Sequence, residues 1–228
     1  MRAPATLHRV QTPEPRARAR ELAAESTARG DPLGWFEQLY IEAETGTAVV
    51  PWADRATNPH LVEWFQRSGR SFRSALVVGC GLGDDVSWLT GMGVGRVIGF
   101  DISGTAVAAA RRRFPDQGTF IQADVFNLPS QWEHAFDFVL EAYTLQVLPA
   151  HLRDPAARSM AKALAPGGLL LVIARGRDAF DEPGRMPWPL TRVDLGAFGE
   201  AGLKEESFED FVDEETPPIR RFRAVYRC

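Results

Sequence analysis

The sequence has little cysteine, almost no lysine and no long hydrophobic run. Its two cysteines, Cys80 and Cys228, do not make a disulfide framework or a metal-ligand cluster, so we expect a reducing, cytoplasmic setting and no metal. No apolar stretch approaches the ~20 residues of a membrane helix. The N-terminus lacks the apolar segment of a signal peptide. These absences do not support secretion or membrane insertion.

The scarcity of lysine leaves arginine as the main basic residue, because only Lys162 and Lys204 are present. The formal net charge is −4, which argues against a broad phosphate-binding surface and hence against a nucleic-acid partner. A small-molecule ligand is the expected partner, bound by a monomer or a homodimer. With 45 % hydrophobic residues and no internal repeat, the chain is predicted to form one domain around one core.

Three segments are expected within that domain. Residues 1–30 combine arginines with prolines and predict a mobile basic arm, with a short helix possible from Glu14. Residues 31–70 contain aromatic residues at helical spacing and predict a helical lid. An alternative is that these aromatic side chains only cover one edge of the core. Residues 71–228 form the predicted core.

The core opens with a strand that runs into a glycine-rich turn. Val77 and Val78 suit a buried strand, whereas Gly79, Gly81 and Gly83 allow backbone angles that a Cβ would block. A helical pattern begins after the turn. A buried strand, a glycine turn and a helix N-terminus together form the usual nucleotide cradle of α/β folds.

Acidic residues recur where three successive predicted strands end. Asp101, Asp124 and Glu141 occupy these positions, and open parallel sheets place their sites at the carboxyl edge. Asp101 follows Gly83 by eighteen positions, close to the spacing of the acid that binds ribose hydroxyls. The alternative is that Asp101 only caps the next helix.

The rest of the pattern completes an α/β fold. A helix over 155–164 and a turn over 165–168 precede an apolar fifth strand, 169–174, and a further helix is expected over 190–198. In the last strand, Phe222, Ala224 and Tyr226 alternate with arginines, which predicts one buried and one wet face. We therefore expect a Rossmann-like, doubly wound, mostly parallel seven-stranded sheet with an antiparallel C-terminal hairpin.

The glycine spacing distinguishes between two cofactor classes. A dinucleotide-binding turn, G-x-G-x-x-G, would need glycine at position 84, where this chain has Asp84. The carboxylates of Asp84 and Asp85 at the helix start would also repel a pyrophosphate. S-adenosylmethionine, with a positive sulfonium, an ammonium and a ribose diol, fits better.

The chain resembles the class I S-adenosylmethionine-dependent methyltransferases over about residues 35–227. The motifs are Val-Val-Gly-Cys-Gly-Leu-Gly, Gly-Phe-Asp-Ile-Ser, Gln-Ala-Asp-Val, Phe-Asp-Phe-Val-Leu-Glu and Leu-Ala-Pro-Gly-Gly-Leu-Leu-Leu-Val, in that order. Within that superfamily it is similar to the thiopurine and thiol/halide methyltransferase branch. The signs are the Cys80-Gly81 pair, Asp101-Ile102-Ser103, Val50-Pro51-Trp52, and Pro149 with Arg153.

The resemblance implies roles for individual residues. Asp101 would bind the ribose hydroxyls, Asp124 and Val125 the adenine edge, and Glu141 with Ala142 the surroundings of the sulfonium. The full set implied for the cofactor is Trp35, Gly79, Cys80, Gly81, Gly83, Asp85, Asp101, Ile102, Asp124, Val125, Glu141 and Ala142. One departure is Val77, which stands where many class I enzymes carry an acid, so Asp85 is expected to help orient the methionine ammonium.

The implied reaction is in-line methyl transfer to a small, apolar or aromatic acceptor, which leaves S-adenosylhomocysteine. A general base is needed only if the acceptor loses a proton, and the candidates are Glu141, Tyr143, His134 and His151. Candidate acceptor-binding residues are Tyr40, Trp52, Arg153 and Trp188. Two alternatives stay open, an NAD(P)-dependent oxidoreductase on a related sheet and a cofactor-binding protein without turnover.

Overall fold

A computed structural model describes residues 13–228. Its sheet consists of β1 Ser74–Val78, β2 Arg96–Asp101, β3 Thr119–Gln122, β4 Phe136–Ala142, β5 Leu164–Arg175, β6 Lys204–Val212 and β7 Arg220–Arg227. The α-helices are α1 Pro13–Ala28, α2 Gly34–Glu44, α3 Pro59–Ser68, α4 Asp84–Gly91, α5 Gly104–Arg113, α6 Ala150–Ala163, α7 Arg192–Leu195 and α8 Ala197–Glu200.

The seven strands form one sheet in the order β3-β2-β1-β4-β5-β7-β6. Strands β1 to β5 are parallel, and β7 runs antiparallel between β5 and β6. The predicted mostly parallel sheet with an antiparallel C-terminal hairpin is confirmed. The strand order reverses between β1 and β4, and this switch point is where open α/β sheets form ligand crevices.

Both faces of the sheet are covered, which explains why the central strands are apolar throughout. Helices α3, α4 and α5 pack on one face through Leu61, Val86 and Val107, whereas α6 and α8 cover the other through Met160 and Phe198. Every residue of β1 is buried, as expected for a parallel strand covered on both sides. Because β1 to β5 are parallel, their carboxyl ends all lie at one edge of the sheet.

Local signals set several helix boundaries. Asn58 caps α3 by accepting a hydrogen bond from the His60 N–H at 3.0 Å, and Pro59 occupies the first helical position, where its missing N–H costs nothing. Ser103 caps α5 in the same way by accepting from the Ala106 N–H at 3.0 Å.

The N-terminal segment folds over the carboxyl edge of the sheet. Arg18 on α1 forms a bidentate ion pair with Glu42 on α2, at 2.8 and 2.6 Å. Arg20 on α1 donates to the Met186 carbonyl at 2.8 Å, in the connection after β5. Residues 1–12 of the basic arm predicted over 1–30 lie outside the described residues, and the part from Pro13 to Ala28 is a helix that contacts α2.

The last strand differs from its predicted pattern of one buried and one wet face. Arg221 and Arg223 are 4 % and 2 % exposed, although the alternation placed them in water. Arg223 pairs with Glu63 on α3 at 2.9 Å and with Glu209 on β6 at 2.6 Å. These partners neutralise the guanidinium inside the protein, because α3 covers a face that would otherwise be exposed.

Element boundaries also shift from the predicted ones. The helix expected over 155–164 begins earlier, at Ala150, and the fifth strand already begins at Leu164, so the predicted turn over 165–168 lies within it. The helix expected over 190–198 is two short helices, α7 and α8, which meet at Gly196. Among residues 13–228, no helix has the length and apolar character needed to span a bilayer.

Candidate cofactor and methyl-transfer site

The glycine turn after β1 forms a backbone cradle beneath α2. Gly79, Gly81 and Gly83 all have positive φ angles, of 59°, 51° and 89°. A Cβ on Gly81 would lie 2.9 Å from the Tyr40 Oη, and a Cβ on Gly83 would lie 2.7 Å from the Phe120 ring. Side chains are therefore excluded here both by backbone angle and by space, so that main chain lines the turn, exposed at Gly79 and buried at Gly81 and Gly83.

Asp101 ends β2 beside this cradle and holds the turn in place. One carboxylate oxygen accepts from the Gly81 N–H and the other from the Ser103 N–H, both at 2.9 Å. Burial raises the pKa of Asp101 to about 6, against the lowering effect of these two hydrogen bonds. Each oxygen keeps a second lone pair. The carboxylate can therefore accept hydroxyl hydrogen bonds while it fixes the loop.

The two acids at the start of α4 have different surroundings. Asp84 forms a bidentate ion pair with Arg113, at 2.7 Å for each contact. Asp85 accepts from the Asn58 N–H at 2.8 Å, and burial raises its pKa to about 6. The charge of Asp84 is therefore neutralised by Arg113. The predicted repulsion of a pyrophosphate rests on Asp85 alone.

Glu141 lies near the end of β4 and is fully buried, with 0 % exposure. One of its oxygens, Oε1, accepts from the N–H groups of Thr144 and Leu145, at 2.7 and 2.9 Å. The other, Oε2, is buried without a hydrogen-bond partner among the described residues. Burial raises the pKa of Glu141 to about 7. Glu141 shapes the turn after β4 and leaves one unsatisfied oxygen behind the cradle.

Tyr143 follows β4 with a φ angle of 70°, a strained backbone for a side chain of this size. The Tyr143 N–H donates to the Ile173 carbonyl at 3.0 Å, which holds the residue against β5. The Arg221 guanidinium lies 5.1 Å from the centre of the tyrosine ring. Burial raises the pKa of Tyr143 to about 12. Strain of this kind concentrates at functional sites, and Tyr143 is half-buried at the carboxyl edge.

The predicted aromatic residues of the lid come together in one cluster. Trp35 stacks on Phe36 with ring centres 3.9 Å apart and meets Trp52 edge-on at 5.8 Å. The Trp52 Nε1–H donates to the Tyr40 Oη at 3.2 Å. Trp188 packs against the same cluster from the connection after β5. Tyr40, predicted to bind the acceptor, therefore reaches the cradle itself.

Other predicted residues lie in more varied places. Half-buried Asp124 follows β3 and accepts from the Phe126 N–H at 2.9 Å, next to buried Val125. Half-buried Ile102 and Ala142 flank the ends of β2 and β4. Half-buried Cys80 packs its sulfur against Gly99, where a Cβ would lie 3.0 Å from it.

The structure leaves three predicted residues away from the cradle. Arg153 is buried and pairs with Asp194 at 2.7 Å, which joins α6 to α7. His151 is exposed in the first turn of α6. His134 precedes β4, at the opposite edge of the sheet from Tyr143, with its Nδ1 3.1 Å from the Leu164 oxygen. Arg153 was predicted from a family motif. Such a motif does not indicate that the side chain pairs with Asp194 in this protein.

Two residues at the carboxyl edge were missed. Glu37 on α2 receives hydrogen bonds from the hydroxyls of Ser103 and Thr105, at 2.6 and 2.7 Å. Arg175 ends β5 at the same edge as Glu141 and Asp101. Glu37 had only its place on a helix as a signal. Arg175 directly follows the apolar fifth strand, and a charge at that strand end could have been noted with the acids.

Residues 75–168 match the protein-family model described as a methyltransferase domain. This span covers the cradle, Asp101, Asp124 and Glu141. This part of the chain is therefore similar to a methyltransferase domain. Together with the cradle, the match supports S-adenosylmethionine as the cofactor. The hydroxyls of the cofactor suit Asp101, which keeps free lone pairs, and its positive charge suits the neighbouring carboxyl group of Asp85.

Known proteins that this chain resembles are named as methyltransferases. A 2-heptyl-1-hydroxyquinolin-4(1H)-one methyltransferase of Mycobacteroides abscessus is 26 % identical over 166 residues, which is 70 % of this chain and 72 % of that protein. The N-methyltransferase NodS of Bradyrhizobium japonicum, solved with S-adenosylhomocysteine, has a TM-score of 0.64 and 21 % identity over 83 % of this chain and 97 % of its own.

A third likeness is to the magnesium protoporphyrin IX methyltransferase of Synechocystis PCC 6803, solved with bound S-adenosylmethionine. Its TM-score is 0.57 and its identity 20 %, over 73 % of this chain and 76 % of its own. At these identities the solved structures establish the fold, and the narrower thiopurine and thiol/halide branch is not among these three matches.

Proposed function

We propose that the chain transfers the methyl group of S-adenosylmethionine to a small apolar or aromatic molecule. The carrying observation is the position of the aromatic cluster formed by Trp35, Phe36, Tyr40, Trp52 and Trp188, which lies over the cradle at the carboxyl edge. Flat aromatic walls with few polar groups are typical of small-molecule sites. The Mycobacteroides relative, named for a quinolone acceptor, supports an aromatic acceptor. The thiol and halide branch stays a prediction.

S-adenosylmethionine supplies an activated methyl group on a positively charged sulfur. In the proposed reaction a bond forms between the acceptor atom and the methyl carbon as the carbon–sulfur bond breaks, and its electron pair stays on sulfur. The chain contributes mainly by holding both partners in line, an effect that reaches roughly 7–11 kcal/mol in favourable systems. Asp101 holds the ribose, and the glycine backbone holds the methionine portion.

Tyr143 is the candidate that we favour for contact with the reacting atoms. It is half-buried at the end of β4, whereas Glu141 has no exposed surface and His151 is exposed in the first turn of α6. If the acceptor loses a proton, the Tyr143 hydroxyl is the proposed hydrogen-bond partner of the acceptor atom. We assign Glu141 to shaping the turn through Thr144 and Leu145.

Calorimetric titration with S-adenosylmethionine, S-adenosylhomocysteine and NADH tests the cofactor. We expect micromolar binding of the first two and none of NADH. A labelled-methyl screen over thiols, phenols, amines and halide ions then tests turnover. Binding of NADH alone would favour the oxidoreductase alternative, and binding of S-adenosylmethionine without any transfer would favour a cofactor-binding protein without turnover.

The variant Asp101→Asn tests the cradle directly. Asparagine keeps one acceptor oxygen but presents an NH₂ group where the carboxylate meets an N–H or a ribose hydroxyl. Losing a charged hydrogen bond costs about 1.5–3 kcal/mol, so we expect S-adenosylhomocysteine to bind roughly 10–100-fold more weakly. The exposed Asp116→Asn serves as the matched control in the same titration. Equal affinities in both variants would remove Asp101 from the cofactor site.

A further inference from the structure

Arg175 stands at the edge of the sheet where the acceptor is proposed to bind. It is the last residue of β5, and its N–H donates to the Gln146 Oε1 at 2.9 Å. The end of β4 lies beside it, because Ala142 pairs with Ile173 and the Tyr143 N–H donates to the Ile173 carbonyl. Arg175 is therefore a near neighbour of the strand end that carries Glu141 and Tyr143.

The Arg175 side chain is half-buried, yet it has no carboxylate partner among the side chains described for residues 16–228. Every fully buried arginine of the described chain is paired. Arg153 binds Asp194, Arg221 binds Asp213 and Glu215, and Arg223 binds Glu63 and Glu209. The Arg175 guanidinium makes no hydrogen bond or ion pair with the side chains that the structure describes for residues 16–228. Five strong donors at the edge of the sheet are thus left for another group.

Two positive charges act on Arg175, and one of them, Arg221, is itself paired with Asp213 and Glu215. Arg221 lies directly opposite on β7, and like charges in such cross-strand pairs repel one another. Arg16 approaches from α1. Burial has the largest effect on Arg175 and, together with the positive charges of Arg16 and Arg221, lowers its pKa to about 10. Glu215 acts in the opposite direction. The guanidinium remains charged at neutral pH, and a bound anion would neutralise this positive charge.

We propose that the methyl acceptor binds as an anion whose negative group is held by Arg175 at the carboxyl end of β5. This inference rests on the proposed methyl transfer. It gives the site opposite charges on its two sides, with acids around the cofactor cradle and a free guanidinium towards the acceptor. An arginine binds a carboxylate or oxyanion through two parallel hydrogen bonds, which also orients the acceptor.

The negative group can be of two kinds. If it is the nucleophile itself, an ionised hydroxyl or thiol, its lone pair forms the bond to the methyl carbon and the product is neutral at that atom, so that no proton is released. If it is a separate carboxylate, it keeps its charge throughout and serves only to anchor the acceptor. In both cases Arg175 is a specificity-determining residue for anions.

Binding of benzoate in the presence of saturating S-adenosylhomocysteine tests the proposal, with benzyl alcohol as the neutral counterpart. We expect benzoate to bind, with at least tenfold loss in Arg175→Met and a smaller loss in Arg175→Lys. Binding of benzyl alcohol and of S-adenosylhomocysteine should stay within twofold. Arg73→Met, at the opposite edge of the sheet, is the matched control.

Methyl transfer to paired acceptors separates the two kinds of anion. The pairs are salicylate with phenol, thiosalicylate with thiophenol, and 4-nitrophenol at pH 8, where it is ionised, with phenol. A preference for the carboxylates that disappears in Arg175→Met indicates an anchoring carboxylate. A preference for 4-nitrophenolate alone, lost in the same variant, indicates an ionised nucleophile.

Three outcomes would overturn the proposal. The first is equal use of neutral and anionic acceptors with no change in Arg175→Met. The second is absence of benzoate binding in the wild type. The third is a lower melting temperature in Arg175→Met, because an arginine that only supports the fold would lose stability on replacement, whereas removal of an unpaired charge should not lower it. Failure of S-adenosylhomocysteine to bind would instead contradict the proposed function, and the benzoate titration without it would still test Arg175.

Discussion

At the scale of single residues, Glu141 shows how a buried acid couples to pH. Its side chain has no exposed surface, and its Oε2 has no partner among the described residues. Burial raises its pKa from the ordinary 4.5 to about 7. The folded protein therefore binds a proton that the unfolded chain releases at lower pH. Folding stability contributed by this proton is fully present below about pH 4.5 and is lost as the pH rises through about 7.

The variant Glu141→Gln should flatten this dependence. Glutamine can keep the acceptor oxygen that meets Thr144 and Leu145, and it carries no charge to bury. We expect the wild type to lose on the order of 3 kcal/mol of unfolding free energy between pH 4.5 and 7, and the variant to lose less. Urea unfolding of the cofactor-free protein across this range measures it, with exposed Glu133→Gln as control. Parallel curves for wild type and Glu141→Gln would contradict the assignment.

At the scale of elements, α2 is attached to α5 through Glu37. The Glu37 carboxylate accepts from both hydroxyls and one N–H at the α5 N-terminus, where a negative charge is stabilised by the helix dipole. Burial would raise the pKa of Glu37, but the hydrogen bonds of Ser103 and Thr105 outweigh it and lower the pKa. Because α5 follows Asp101 directly, this contact ties α2 to the strand end that carries Asp101.

Replacing Glu37 with glutamine should loosen the lid. The charge at the α5 N-terminus disappears and one hydrogen bond is lost, at a cost of about 1–2 kcal/mol in unfolding free energy. We expect S-adenosylhomocysteine to dissociate several-fold faster, as measured by stopped-flow fluorescence, because α2 also holds Tyr40 over Gly81. Glu44→Gln removes the exposed contact between α2 and Arg112 and should cost less than about 1 kcal/mol. Equal dissociation rates in both variants would mean that Glu37 does not hold the lid.

At the scale of the whole molecule, cofactor binding should stabilise the domain cooperatively. The cradle draws on β1, β2, β4 and α2, so unfolding any of them destroys the site. A ligand at one hundred times its dissociation constant adds about 2.7 kcal/mol to the unfolding free energy. For a chain of this length that corresponds to about 5–10 °C in melting temperature. Differential scanning calorimetry should show this shift with S-adenosylhomocysteine, and a shift with NADH instead would contradict the cofactor assignment.

The sequence alone determined the order of the elements, the fold class and the cradle with its strand-end acids. These follow from short-range rules: buried strands are apolar, glycine permits positive φ, and parallel strands that alternate with helices bring their carboxyl ends to one edge. Gly81, Asp101 and Glu141 are therefore readable from position and spacing. That these three residues lie at one edge of the sheet can be predicted without knowing which side chains they contact.

Only the tertiary structure decided which charges are paired. Arg221 and Arg223 looked solvent-exposed by alternation but are buried against acids from other elements, and Asp84 is neutralised by Arg113. Arg175 has the same residue type and a similar strand position, yet it has no carboxylate partner among the side chains described. The physical reason is that an ion pair depends on the distance between residues far apart in the chain, which periodicity does not encode.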